Sequence, residues 1–132
     1  MKTHMLVLRS GDDALKAIAG FAAQQSIVGA TFSALGAFET STIAYWNRET
    51  KEYEPIEVPE QVEVLTMTGN VAMAGTDRRL HAHVILGRRD GSTMGGHLMK
   101  AVVHPTLEVF IVDLGMRLAR TRDETTGLWL LT

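Results

Sequence analysis

The residues best suited to chemistry cluster between Leu80 and His97, where the chain reads L-H-A-H-V-I-L-G-R-R-D-G-S-T-M-G-G-H. Leu80 to Leu86 suits a strand, and in a strand His81 and His83 share one face with Cα atoms about 6.5 to 7 Å apart. Arg88 to Ser92 reads as a hairpin loop in which Gly91 takes the positive φ of a three-residue bulged turn. That reversal sets His97 roughly opposite His83. Three imidazoles then converge on one patch of sheet, the geometry of a three-histidine metal site with one position open. All-nitrogen ligation without a thiolate points to zinc first, with iron, nickel, cobalt and manganese as alternatives. An isolated His-x-His is more often a surface or hydrogen-bonded pair. The third histidine across the hairpin makes the case, because neutral rings crowded together need a reason to be there.

Around this centre the supporting candidates are fewer. Glu63 and Glu108 sit in apolar strands, where a free carboxylate is costly to bury. An arginine such as Arg9 or Arg117 is the expected partner for Glu108, whereas Glu63 is the candidate general base or hydrogen-bond partner of a ligand imidazole. His4 and His104 read as surface residues, with His104, before Pro105, the one weak candidate for a fourth ligand. Gly95-Gly96 permits a close backbone approach or a bulge that re-aims His97, and ordinary turn flexibility explains the pair equally well. Arg78, Arg79, Arg88 and Arg89 bracket one strand and read as solvated ends rather than a phosphate site. No Ser-His-Asp arrangement with supporting context, phosphate-cradling loop or nucleic-acid motif is present.

These residues need a sheet to hold them. His4 to Arg9 is expected as the first strand, followed by a helix capped by Ser10, with Leu15, Ile18, Ala19, Phe21 and Ala22 at helical spacing up to about Gln25. Ile27 to Phe38 and Thr40 to Arg48 read as two strands, and Glu52 to Val58 as an exposed one ending at Pro59. In Gln61 to Met73 the alternation puts Val62, Val64 and Thr66 on one face, and Glu63, Leu65 and Met67 on the other. His97 to Val103 partners the histidine strand, His104-Pro105 is a turn, and Thr106 to Leu114 is the most apolar strand. The tail from Arg117 through Leu131 is expected to close as a final strand. Many antiparallel strands with one principal helix near the N-terminus make an α+β domain.

Composition excludes several classes of function. With 132 residues the chain supports one core, so residues 1–132 are expected to form a single domain. Hydrophobic residues make up 45% and charged residues 21%, as in a soluble globular protein. Net charge is −2, and no Lys/Arg block supplies the footprint of a protein that grips DNA unaided. There is no cysteine, so disulfide and thiolate chemistry are ruled out. No apolar run has the length of a signal peptide or a membrane span, so the expected setting is the cytoplasm.

The blocks S-A-L-G-A-F (Ser33 to Phe38), Q-V-E-V-L-T-M-T-G-N (Gln61 to Asn70), L-H-A-H-V-I-L-G (Leu80 to Gly87), D-G-S-T-M-G-G-H-L (Asp90 to Leu98) and T-L-E-V-F-I (Thr106 to Ile111) resemble the PPC domain. This "plants and prokaryotes conserved" family occurs alone in bacteria and archaea, and behind AT-hooks in plant nuclear proteins. The resemblance implies a mainly antiparallel sheet assembled as a homotrimer, with the family's metal-binding histidines at His81, His83 and His97. In plant members the segment matching Gln61 to Leu65 begins with an arginine used in partner contacts. Gln61 replaces it here, and the chain has no AT-hook.

Three functions compete at this stage. The first is a trimeric metal-binding module with a binding or regulatory role, associated with DNA through partners. The second is a zinc-dependent hydrolase or lyase in which the metal acidifies a bound water and Glu63 is the general base. The third is direct DNA binding by the trimer. The small-molecule ligand, if there is one, is not specified by the sequence.

Overall fold

The computed structural model covers all 132 residues. Eight strands and one helix run in the order β1 (Lys2–Arg9), α1 (Ala14–Gln24), β2 (Ala30–Asn47), β3 (Glu52–Val58), β4 (Val62–Ala74), β5 (Asp77–Gly87), β6 (Thr93–Asp113), β7 (Arg120–Arg122) and β8 (Trp129–Leu131). The first six form one sheet in the order β1-β6-β5-β4-β2-β3, and β6 also pairs with β2. The ladders β2–β4, β4–β5, β5–β6 and β6–β2 therefore close into a ring, with every pairing antiparallel. Closure removes sheet edges that would otherwise leave backbone groups unpaired. With a single 11-residue helix against eight strands, "α+β" is a loose label for a fold that is mainly sheet.

Two long strands make this closure, and they depart from the sequence reading. Ile27 to Phe38 and Thr40 to Arg48 are not separate strands; from Ala30 onward they run together as β2, with register shifts around Gly36, Phe38 and Thr42. Gly36 has φ +151° and lies so close to β6 that a Cβ there would collide with the Thr106 carbonyl oxygen. The glycines that look like strand breakers are thus the points where the strand bends and packs closely. Likewise His104-Pro105 is not a turn. It falls within β6, where pairing with β2 is interrupted between Val103 and Leu107.

Asp13, not Ser10, caps the helix: its carboxylate accepts from the Lys16 amide at 3.1 Å, while the Ser10 hydroxyl bonds to His104. Ala14, Ile18 and Ala22 join a core that includes Phe38, Met67 and Leu107. On β4 a bulge between Val64 and Thr66 resets the alternation, so Met67 joins Val62 and Val64 inside while Thr66 is exposed. The tail does not add a strand to the main sheet. β7 and β8 pair with each other as a short ribbon, anchored by the Met73 amide donating to the Leu118 carbonyl at 2.8 Å. No helix is long and apolar enough to cross a membrane.

Candidate metal centre

The histidine hairpin forms as its residues dictate. Alternation along β5 buries Ala82, Val84 and Leu86 and turns Arg79, His81 and His83 outward. At the turn the Arg88 amide donates to the Ser92 carbonyl at 2.8 Å, and Gly91 has φ +84°. The register then sets His97 of β6 directly opposite His83. On its other side His97 pairs with Ala44 of β2. Gly96 is needed here because a Cβ would lie 2.8 Å from the Ala44 carbonyl oxygen.

The three imidazoles meet. One potential ligand nitrogen from each of His81, His83 and His97 lies within 4.8 Å of the others. The Nε2 atoms of His81 and His83 are 3.1 Å apart. A tetrahedral zinc ion with Zn–N bonds of 2.0–2.1 Å places its nitrogens about 3.3 Å apart, so one pair is already at coordinating separation. The Nδ1 atom of His97 is buried without a hydrogen-bond partner. Unsatisfied buried polar atoms are uncommon, and an imidazole nitrogen in a cluster of three is a ready electron-pair donor for a metal. The residues present therefore fit a divalent transition metal.

Electrostatics favour the neutral form of His81 and His97, as metal ligation requires. Burial, followed by the neighbouring His81 and His83, pushes the His97 ring down to about 4. Burial, His83 and Arg120, in that order, lower His81. His97 is further held by Tyr53 of β3, whose ring stacks on it at 4.5 Å between centroids and 26° between planes.

The tail supplies a second layer that the sequence reading missed. Arg120 is almost fully buried; its Nη2 donates to Asn70 Oδ1 at 2.7 Å and its Nη1 to the Trp129 carbonyl at 3.0 Å. Asn70 in turn is the β4 residue paired with His81. The Arg79 guanidinium lies 4.8 Å from the centre of the Trp129 ring, a cation–π contact. The one signal in the sequence is the concentration of arginines and a tryptophan in the tail, whose strand-like end pairs with Arg120–Arg122 and not with the main sheet.

Other candidates stand elsewhere. Glu63 is exposed and pairs in register with Gly87, four positions along β5 from His83, which amounts to about 13 Å of strand. It borders a separate cleft with Glu60, Arg88 and Arg89, so it is not brought to the histidines. Glu108 is half-buried but meets neither Arg9 nor Arg117. Arg117 donates to the Gly75 carbonyl, and the chain's ion pairs are Arg88–Glu60 and Arg122–Glu124. His104 is exposed and bonded to Ser10, seven residues from His97 along β6, and is no fourth ligand. His4 is half-buried, edge-on to Phe21 at 5.3 Å, rather than on the surface.

Comparison with known proteins agrees with this architecture. A metal-containing protein from Archaeoglobus fulgidus is 39% identical, with a TM-score of 0.93 over 100% of this chain and 94% of that one. A plant- and prokaryote-conserved (PPC) protein from Pyrococcus horikoshii is 28% identical, with a TM-score of 0.91 over 98% of this chain and 92% of the other. A protein from Bacteroides thetaiotaomicron described as "a putative DNA binding protein" is 27% identical, with a TM-score of 0.95 over 98% and 91% of the two chains. No functionally curated protein matches significantly. The family model for the Plants and Prokaryotes Conserved (PCC) domain matches residues 1–115, and the chain belongs to that family.

Proposed function

We propose that His81, His83 and His97 hold one divalent transition metal, zinc before the alternatives, in a homotrimeric cytoplasmic protein. Its role is binding or regulation, with DNA reached through partners. The observation that carries the metal assignment is the meeting of three imidazoles, one with a buried nitrogen lacking any protein partner. When bound, such an ion supplies a Lewis-acidic position open to a further ligand. The chain's own contribution is to disfavour protonation of His81 and His97 through burial and to hold the His97 ring against Tyr53.

Two observations support the remaining parts of this reading. Met5, Val7, Leu35 and Phe110 are exposed apolar residues on adjoining strands, with Phe110 opposite both Met5 and Ser33. They surround half-buried Glu108, which pairs in register with Val7 and Leu35, and a patch of this kind suits burial against further copies of the chain. A net charge of −2, multiplied on assembly, disfavours direct DNA binding even though a relative carries that description. The hydrolase or lyase reading loses its proposed base, because Glu63 lies outside the histidine cluster.

The test is metal analysis of tag-free protein beside sedimentation analysis. The expected result is close to one metal per chain, lost in His97→Ala, and a mass near three times 14.5 kDa that falls in Phe110→Glu. Absence of stoichiometric metal refutes the centre. Sub-micromolar DNA binding at physiological salt refutes partner-mediated association.

A further inference from the structure

A cleft of about 270 Å³ opens beside the histidines, between the main sheet and the β7–β8 ribbon. His81 and His97 form one wall, Arg79 and Arg120 contribute two guanidinium groups, and Tyr53 and Trp129 bring aromatic faces. Leu80, Leu128 and Leu130 make much of the remaining surface apolar. No acidic side chain lines it, and neither arginine forms an ion pair.

This charge arrangement calls for an anion. Arg120 spends one N–H on Asn70 and one on the Trp129 carbonyl, both neutral acceptors, so its geometry is fixed while its charge stays uncompensated. A guanidinium has five N–H donors, which leaves others free. Arg79 lies over Trp129, which restrains its plane while its N–H edge can still donate to an oxyanion. A dication at the histidines would add to this positive potential, and buried charges are normally paired.

The size and walls narrow the class of ligand. The volume is just below the usual range for drug-sized ligands, about 300 to 1,000 Å³, so the cleft itself encloses only a small molecule. The leucine and tryptophan surface favours a molecule with an apolar body over inorganic phosphate. We propose that this cleft binds a small organic carboxylate, its anionic group held by Arg79 and Arg120, beside the metal held by His81, His83 and His97. The inference rests on the metal assignment above and extends it to the class of molecule that reaches the open position.

The test uses the full chain loaded with Co²⁺, whose visible spectrum reports its ligand shell, in a Trp46→Phe background so that emission comes from Trp129. Titrants are propionate, its uncharged analogue propionamide, and inorganic phosphate. Propionate is expected to perturb both signals saturably, with propionamide at least about tenfold weaker because the charge-assisted hydrogen bonds are lost. Arg79→Gln should weaken propionate about tenfold while leaving Co²⁺ stoichiometry and the ligand-free spectrum unchanged, and Arg120→Lys should weaken it at least as much. Arg79 is exposed, so its substitution tests the cleft without disturbing the packing around Arg120.

Stoichiometric Co²⁺ with equal responses to propionate and propionamide, or with wild-type affinity in Arg79→Gln, overturns the carboxylate site and leaves the metal centre standing. Phosphate binding more tightly than propionate overturns the organic-acid assignment. Failure to take up Co²⁺ sinks the metal reading instead. Trp129 emission in the metal-free protein then decides the cleft: quenching by propionate that Arg79→Gln removes supports it, and no quenching overturns it.

Discussion

Acidifying the metal-free protein should destabilise it well before its carboxylates titrate. An unfolded histidine titrates near 6.5, whereas burial and the two neighbouring rings hold folded His97 at about 4. Above pH 6.5 both states are neutral at this position and its contribution is constant. As pH falls from 6.5 towards 4 the unfolded chain takes up the proton first, so folding stability declines through that window and levels off below it. The gap corresponds to about 3 kcal/mol if carried over in full, and to about 1–2 kcal/mol once solvent screening of a half-buried ring is allowed for. His81, lowered in the same direction, adds a shallower slope. The assay is urea unfolding of zinc-free wild type and His97→Gln at half-unit steps from pH 7 to 4.5. Wild type should lose about 1–2 kcal/mol more than the variant across that range. Parallel profiles would mean that the His97 ring is no harder to protonate in the fold than in the open chain, and the neutral-cluster argument would fail.

Two further substitutions probe the scaffold and the site. Gly36→Ala should cost about 3 kcal/mol in urea unfolding, from left-handed backbone strain and collision with the Thr106 carbonyl, and a loss below about 1 kcal/mol would contradict the close β2–β6 approach. Glu63→Gln should leave zinc affinity within about twofold of wild type by competition with a chromogenic chelator, since Glu63 lies about 13 Å of strand away; a tenfold loss would place it in the ligand shell.

What could be read from the residues follows the range of the forces involved. The histidine hairpin was legible because strand alternation, a Gly91 turn and cross-strand register are local, and together they fix which side chains meet. The long strands were not. Gly36 and His104-Pro105 look like interruptions in isolation, and only the pairing of β2 with β6 carries the chain through them. The phase of β4 failed at Thr66 for a related reason, since a bulge adds a residue that no periodicity announces. Tyr53, Arg120 and Trp129 reach the histidines through ring closure and a separate ribbon, contacts set by tertiary packing between distant segments.

X-ray absorption at the metal edge of tag-free protein, as purified, bears on the three-histidine centre most directly. Three imidazole nitrogens at about 2.0–2.1 Å around one metal per chain, with the metal edge lost in His97→Ala, is the predicted result for zinc. A metal shell with fewer than three imidazoles, or one unchanged when His97 is removed, would contradict it.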